Sequence, residues 1–75
     1  MANMIRWETN PETRTSSAEH RGWSITVRQA WAGWNWVAYR EPPNGEKMYM
    51  ACIEGTRGAA MTAAVNAVNE REDAR

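Results

Sequence analysis

The run Ile25-Thr26-Val27-Arg28-Gln29-Ala30-Trp31-Ala32-Gly33-Trp34-Asn35-Trp36-Val37-Ala38-Tyr39-Arg40 constrains the fold more than any other stretch. Apolar and polar side chains alternate on both sides of a short Gly-containing break, the pattern of a β-hairpin with one face packed and one wet. A two-residue loop at Ala32-Gly33 sets Trp31 opposite Trp34, Gln29 opposite Trp36, Val27 opposite Ala38 and Ile25 opposite Arg40, and opposite residues share a face. Trp23, Ile25, Val27, Trp31, Trp34, Trp36 and Ala38 then line one side. Ser24, Thr26, Arg28, Asn35, Val37 and Tyr39 line the other. A loop one residue longer mixes the two sets, which favours the two-residue loop although Ala-Gly is weaker turn chemistry than Asn-Gly.

A chain of 75 residues is near the lower size at which one core suffices without disulfides, metal or a partner. Residues 1–75 therefore read as a single domain whose stability comes from large side chains. Four of the five tryptophans lie between Trp23 and Ile53. Each buried indole removes roughly 150 to 250 Å² from water, on the order of 4 to 6 kcal/mol before entropy is counted.

The other elements follow in order. Met4 to Thr9 alternates as a short strand with Ile5 and Trp7 inward, and Asn10-Pro11-Glu12-Thr13 is turn chemistry. Arg14 to Arg21 is either a returning strand or a connector, so residues 1–21 form an N-terminal hairpin or a strand and linker. Residues 22–54 hold the antiparallel sheet. Within it Glu41-Pro42-Pro43-Asn44-Gly45-Glu46 is a loop, because two prolines lack donors and Asn-Gly favours positive φ. Lys47 to Glu54 is the next strand. An even-length loop places Tyr49, Ala51 and Ile53 on the tryptophan side, with Ala51 opposite Trp36, and sends Met48, Met50 and Cys52 to the outer side; an odd-length loop reverses this. The even loop is the preferred reading.

Gly55-Thr56-Arg57-Gly58 changes the period. Thr56 is an N-cap candidate, and Ala60, Met61, Ala64, Val65, Ala67 and Val68 form one helical stripe over residues 56–70. A smooth alanine face lets the helix approach a sheet crowded with indoles. Residues 71–75 are a charged tail expected to fray. The fold class is α+β, an antiparallel sheet of three or more strands packed on one C-terminal Ala-rich helix.

Catalytic chemistry finds no assembled group. His20, the only histidine, sits in a polar stretch without an evident partner and reads as an exposed linker residue. Cys52 reads as a half-buried strand cysteine rather than a nucleophile. One cysteine without Cys/His ligand spacing gives no zinc site and no internal disulfide. The Gly-Thr-Arg-Gly turn lacks the lysine and spacing of a phosphate-binding loop. A non-enzymatic protein without cofactor or metal is the expectation, cytoplasmic by default, with no membrane span.

Nine basic and nine acidic side chains give a formal net charge of zero, and the basic residues are interleaved with Glu. That composition argues against general nucleic-acid binding, which draws its affinity from counterion release, although Arg28, Arg40 and Lys47 are candidates for a local patch beside exposed Trp rings. The outer side of the sheet is the more informative surface. Arg28, Asn35, Val37, Tyr39, Met48 and Met50, with Trp31 at the hairpin tip, form an aromatic, methionine and arginine set of the kind enriched in protein-protein interfaces. Either this surface binds a partner, or the N-terminal strand or a second copy covers it, so the chain is a monomer or a homodimer.

Three antiparallel strands followed by an Ala-rich helix, read from Trp23 to Glu70, resemble the small single-domain proteins of phages and mobile elements, among them several anti-CRISPR proteins. The resemblance rests on size, charge and element order over about two-thirds of the chain. It implies a stoichiometric inhibitor that binds a subunit of a bacterial CRISPR-Cas defence complex and blocks nucleic-acid binding or assembly. Tyr49 to Asn69 is also similar to HicB-type antitoxins in its strand, Gly-Thr turn and Ala-rich helix, but no DNA-binding region follows the helix. The sheet-plus-helix order of double-stranded-RNA and integrase arm-binding domains is similar as well, without their Lys/Arg cluster.

Overall fold

The computed structural model describes residues 5–41 and 47–74. Five strands, β1 (Glu8–Asn10), β2 (Thr15–His20), β3 (Trp23–Ala30), β4 (Gly33–Arg40) and β5 (Met48–Glu54), pair antiparallel in the order β1-β2-β3-β4-β5. One helix, α1 (Arg57–Asp73), follows and packs on one face of β3, β4 and β5. The expected α+β class and the antiparallel sheet on a C-terminal helix are what the chain forms.

Local chemistry accounts for each turn. Between β1 and β2 the Glu12 amide donates to Asn10 Oδ1 at 2.9 Å, and Arg14 closes the turn with φ of 55°. Within Arg14 to Arg21, left above as strand or connector, Thr15–His20 forms strand β2. Arg21 and Gly22 join β2 to β3 with φ of 51° and 85°. Two positive φ values in a two-residue loop match the right-handed twist of the strands they connect.

The β3–β4 turn corrects the expected hairpin by one position at each end. Trp31 and Ala32 form the loop, and Ala30 pairs with Gly33. Gln29 then faces Trp34, Val27 faces Trp36 and Ile25 faces Ala38. The partners change but the parity does not, so the division of the two faces survives, apart from Trp31, which leaves the sheet for the tip. Gly33 is the reason. Its φ is 150°, and a Cβ there would lie 2.5 Å from the Glu54 carbonyl oxygen. The backbone of β5 passes too close for any side chain, which makes Gly33 the first residue of β4 rather than part of the loop.

The register of β5 overturns the even-loop reading. Arg40 pairs with Met48, leaving residues 41 to 47 between them, an odd number; Ala38 faces Met50 and Trp36 faces Cys52. Met48 and Met50 therefore pack on the helix side against the core. Tyr49, Ala51 and Ile53 take the outer side. The expected loop at Glu41 to Glu46 falls, apart from Glu41, outside the described residues.

The core is Trp23, Ile25, Val27, Trp36 and Ala38 from the sheet against Ala60, Ala64 and Val68 from the helix. Trp7, just ahead of β1, packs partly against it, and Met61 and Val65 flank the helical stripe. Burial alternates along β2 and β3, with Ser16, Ala18, His20, Trp23, Ile25 and Val27 all inside. Ser16 pairs its hydroxyl with that of Thr9 at 3.0 Å, which offsets the cost of enclosing it.

Polar contacts anchor both ends of the helix. Thr56 caps the N-terminus, its hydroxyl accepting from the Ala59 amide at 3.1 Å. The C-terminal turn, expected to fray, is instead tied to the sheet. Glu72 Oε2 accepts from Trp23 Nε1 at 3.0 Å and from Arg40 Nη1 at 2.8 Å. Asn69 Oδ1 accepts from Arg21 Nη1 at 3.2 Å and lies 2.7 Å from His20 Nε2. His20 is thus a buried sheet residue, not an exposed linker histidine. Arg21 also pairs with Asp73 at 3.1 Å.

Two pairs of substitutions check this account by urea unfolding. Gly33→Ala should lower stability by about 1 to 3 kcal/mol through clash and an unfavourable φ. Gly58→Ala, in the first helical turn with open space around it, should raise stability by about 0.5 to 1 kcal/mol. Glu72→Ala should cost about 3 kcal/mol, because Arg40 and the Trp23 indole lose their carboxylate in a mostly enclosed setting. Asp73→Ala breaks only an exposed pair and should cost less than about 1 kcal/mol.

Candidate functional site: the open face of the sheet

The helix covers one side of the sheet, and no described element covers the other. Cross-strand pairing arranges the open side in lateral rows. Ser17, Thr26, Val37 and Ala51 form the middle row; Glu19, Ser24, Tyr39 and Tyr49 lie on one flank, and Thr15, Arg28, Asn35 and Ile53 on the other. The rows change chemistry along their length. Over β4 and β5 they end in Val37, Tyr39, Tyr49, Ala51 and Ile53, with Tyr49 67% and Ile53 51% exposed. Over β1 to β3 they are polar, and an open groove of about 1030 Å³ is lined there by Glu8, Asn10, Thr15, Ser17, Arg28 and Asn35 among others.

Of the residues singled out from sequence, Arg28, Asn35, Val37 and Tyr39 share this face. Arg28 and Asn35 are direct cross-strand partners. Trp31 stands apart at the hairpin tip with 101% exposure. Met48 and Met50 do not belong to the surface, because the odd loop turns them to the helix. Tyr49, Ala51 and Ile53 replace them, and the same parity argument identifies them once the loop length is known.

The proposed patch of Arg28, Arg40 and Lys47 does not assemble. Arg40 lies on the helix side bound to Glu72, whereas Arg28 is on the open side. Most indoles are likewise committed to packing: Trp23 and Trp36 are buried, and Trp34 is partly so. Cys52 is on the helix side opposite Trp36, exposed rather than half-buried on the outer side. Among the described residues no three His, Cys, Asp or Glu side chains converge as a metal site, and no helix is long and apolar enough to cross a membrane.

The Tyr39 hydroxyl donates to Glu41 Oε2 at 3.0 Å at the end of β4. Desolvation of the phenol, then this hydrogen bond and the nearby negative charge, hold its pKa above the ordinary 10.0. The open face thus presents Tyr39 as a neutral, oriented ring beside a carboxylate. Comparison with protein-family models, with characterised proteins and with solved structures finds no match.

A spectrophotometric titration tests the Tyr39–Glu41 contact. With Tyr49→Phe only one phenol remains, since the chain has two tyrosines. Its midpoint should lie above 10.0, and Glu41→Gln should move it down. Because the folded pKa is the higher one, the contact's contribution is present below the unfolded pKa and disappears as pH rises through the folded value. A midpoint unmoved by Glu41→Gln would mean the contact does not persist in solution.

Proposed function

We propose that this chain is a non-enzymatic protein-binding module that docks through the open face of its sheet. The observation that carries the reading is the set of exposed Tyr49, Ala51 and Ile53 with half-buried Val37 and Tyr39, bordered by Arg28 and Asn35, on a side that no described element covers. Tyrosine rings supply large contact area at low entropic cost, and Arg28 has no carboxylate partner among the described residues. Exposed apolar surface of this kind is costly to leave in water and is characteristic of interaction sites.

In its specific form the proposal is an inhibitor of phage or mobile-element origin. Its partner is a protein subunit of a bacterial CRISPR-Cas complex, and occupying that subunit blocks nucleic-acid binding or assembly. Size, neutral charge and element order support that setting through the resemblance to anti-CRISPR proteins. Affinity capture from a bacterial lysate, read by mass spectrometry, should recover a partner in stoichiometric amount. Tyr39→Ala with Tyr49→Ala should reduce recovery at least tenfold, whereas Arg57→Ala, on the helix, should not. Capture of no partner, or equal capture by the double variant, would contradict the docking face.

A second reading, nucleic-acid binding, draws on the full exposure of Trp31 and on Arg28, which has no carboxylate partner among the described residues. Tryptophan fluorescence titrated with single- and double-stranded oligonucleotides at two salt concentrations separates the two. A salt-sensitive quench would favour nucleic acid, and a flat response the protein partner.

A further inference from the structure

The two edges of the sheet are built differently. β1 is three residues long, Glu8-Thr9-Asn10, begins with a charge and is followed at once by Pro11. Short length, charge and proline are the usual ways to blunt a sheet edge. β5, at the opposite edge, is longer and carries its one charge at its last residue. It runs seven residues, Met48-Tyr49-Met50-Ala51-Cys52-Ile53-Glu54, with no proline and no charge before Glu54. Tyr49, Ala51, Cys52 and Ile53 are exposed, and no described strand pairs with its outer side. Its outward backbone N–H and C=O groups are a template for one more strand.

We infer that this template is filled by β5 of a second copy of the chain, antiparallel about a two-fold axis at Ala51. Antiparallel partners share a face, so a two-fold axis normal to the sheet keeps both helices on one side and joins the two open faces into one ten-stranded surface. Centring the axis on Ala51 pairs all seven residues: Ala51 meets Ala51 of the second copy, Met50 meets Cys52, Tyr49 meets Ile53 and Met48 meets Glu54. Each Tyr49–Ile53 contact is an aromatic and β-branched cross-strand pair, and small Ala51 at the axis leaves room for both. Charge selects the antiparallel sense. Lys47 precedes the strand and Glu54 ends it, so parallel in-register pairing would set like charges together at each end, which antiparallel pairing avoids. The inference concerns the edge alone and stands or falls independently of the docking reading for the open face.

The register has a covalent signature. Across an antiparallel pair directly opposed Cα atoms lie about 4.5 to 5.5 Å apart, within disulfide reach, whereas native Cys52 and its copy would be offset to about 8 Å, beyond it. Light scattering on the full chain should therefore give a concentration-dependent mass rising towards twice 8.5 kDa. Ala51→Cys with Cys52→Ser should form an intermolecular disulfide on oxidation, and Ser17→Cys with Cys52→Ser, on the open face of β2, should not. Ala51→Lys, which sets two ammonium groups against each other at an exposed position, should return the mass to 8.5 kDa with an unchanged far-ultraviolet circular dichroism spectrum. A monomer at every concentration would overturn the inference and leave the edge to an extended segment of another protein. Crosslinking through Ser17 instead of position 51 would overturn it in favour of face-to-face packing, and a dimer insensitive to Ala51→Lys would overturn it equally.

Discussion

The close approach of an alanine-lined helix to a layer of indoles is the contact on which the rest of the structure depends. Ala60, Ala64 and Val68 have no bulk to hold the helix away, so the sheet's large side chains fill the space between the two layers. Trp23 and Trp36 supply most of that volume, with Ile25 and Val27 between them. The match works in one direction only. A helix with large residues at positions 60 and 64 would ride off the sheet and open voids around both indoles, and a sheet without tryptophan would leave the alanines facing nothing. The packed indole has a polar cost as well, since Trp36 Nε1 is buried without a hydrogen-bond partner among the described residues.

From that contact follow the polar anchors and the division of the molecule. Apolar packing sets how close the helix lies but does little to stop it sliding along a smooth alanine stripe. Glu72 on Trp23 and Arg40, and Asn69 beside His20 and Arg21, fix its position at one end, and Thr56 defines the other. With one helix among the described residues, only one side of the sheet is covered by a described element. The side that no described element covers runs in composition from polar at β1–β3 to aromatic and aliphatic at β4–β5. Edge and face are joined at β5, the strand that carries Tyr49 and Ile53 on its open side and an outer edge that no described strand pairs.

Much of this was legible from residue pattern. Alternation from Trp23 to Arg40 marks two strands and assigns their faces, because a two-position change of register preserves parity; misplacing the turn by one position at each end therefore left the face assignment intact. Thr56 as cap and the stripe at Ala60, Ala64 and Val68 were equally readable. The face of β5 was not. Its strand contains apolar residues at both parities, so no alternation marks an inside, and the length of a proline-containing loop alone decided between Met50 and Tyr49. The charged tail hid a different lesson: Glu72 and Asn69 look like solvated helix residues until the sheet brings Arg40, Trp23 and His20 to them from 32 to 49 positions away. The Gly33 requirement was likewise invisible, since it is imposed by the backbone of β5 and not by a neighbour in sequence.

The central claim is that the helix packs against the tryptophan, Met48 and Met50 side of the sheet and leaves Tyr49, Ala51 and Ile53 open. A nuclear Overhauser spectrum of the labelled protein tests it most directly. Cross-peaks should connect the Ala60, Ala64 and Val68 methyls with the sheet residues of the helix side, including the Trp36 ring and the Met48 and Met50 methyls, with none to the Tyr49 ring or the Ile53 methyls. Cross-peaks from those helix methyls to Tyr49 and Ile53, with the methionine methyls free of them, would reverse the register of β5 and contradict the account.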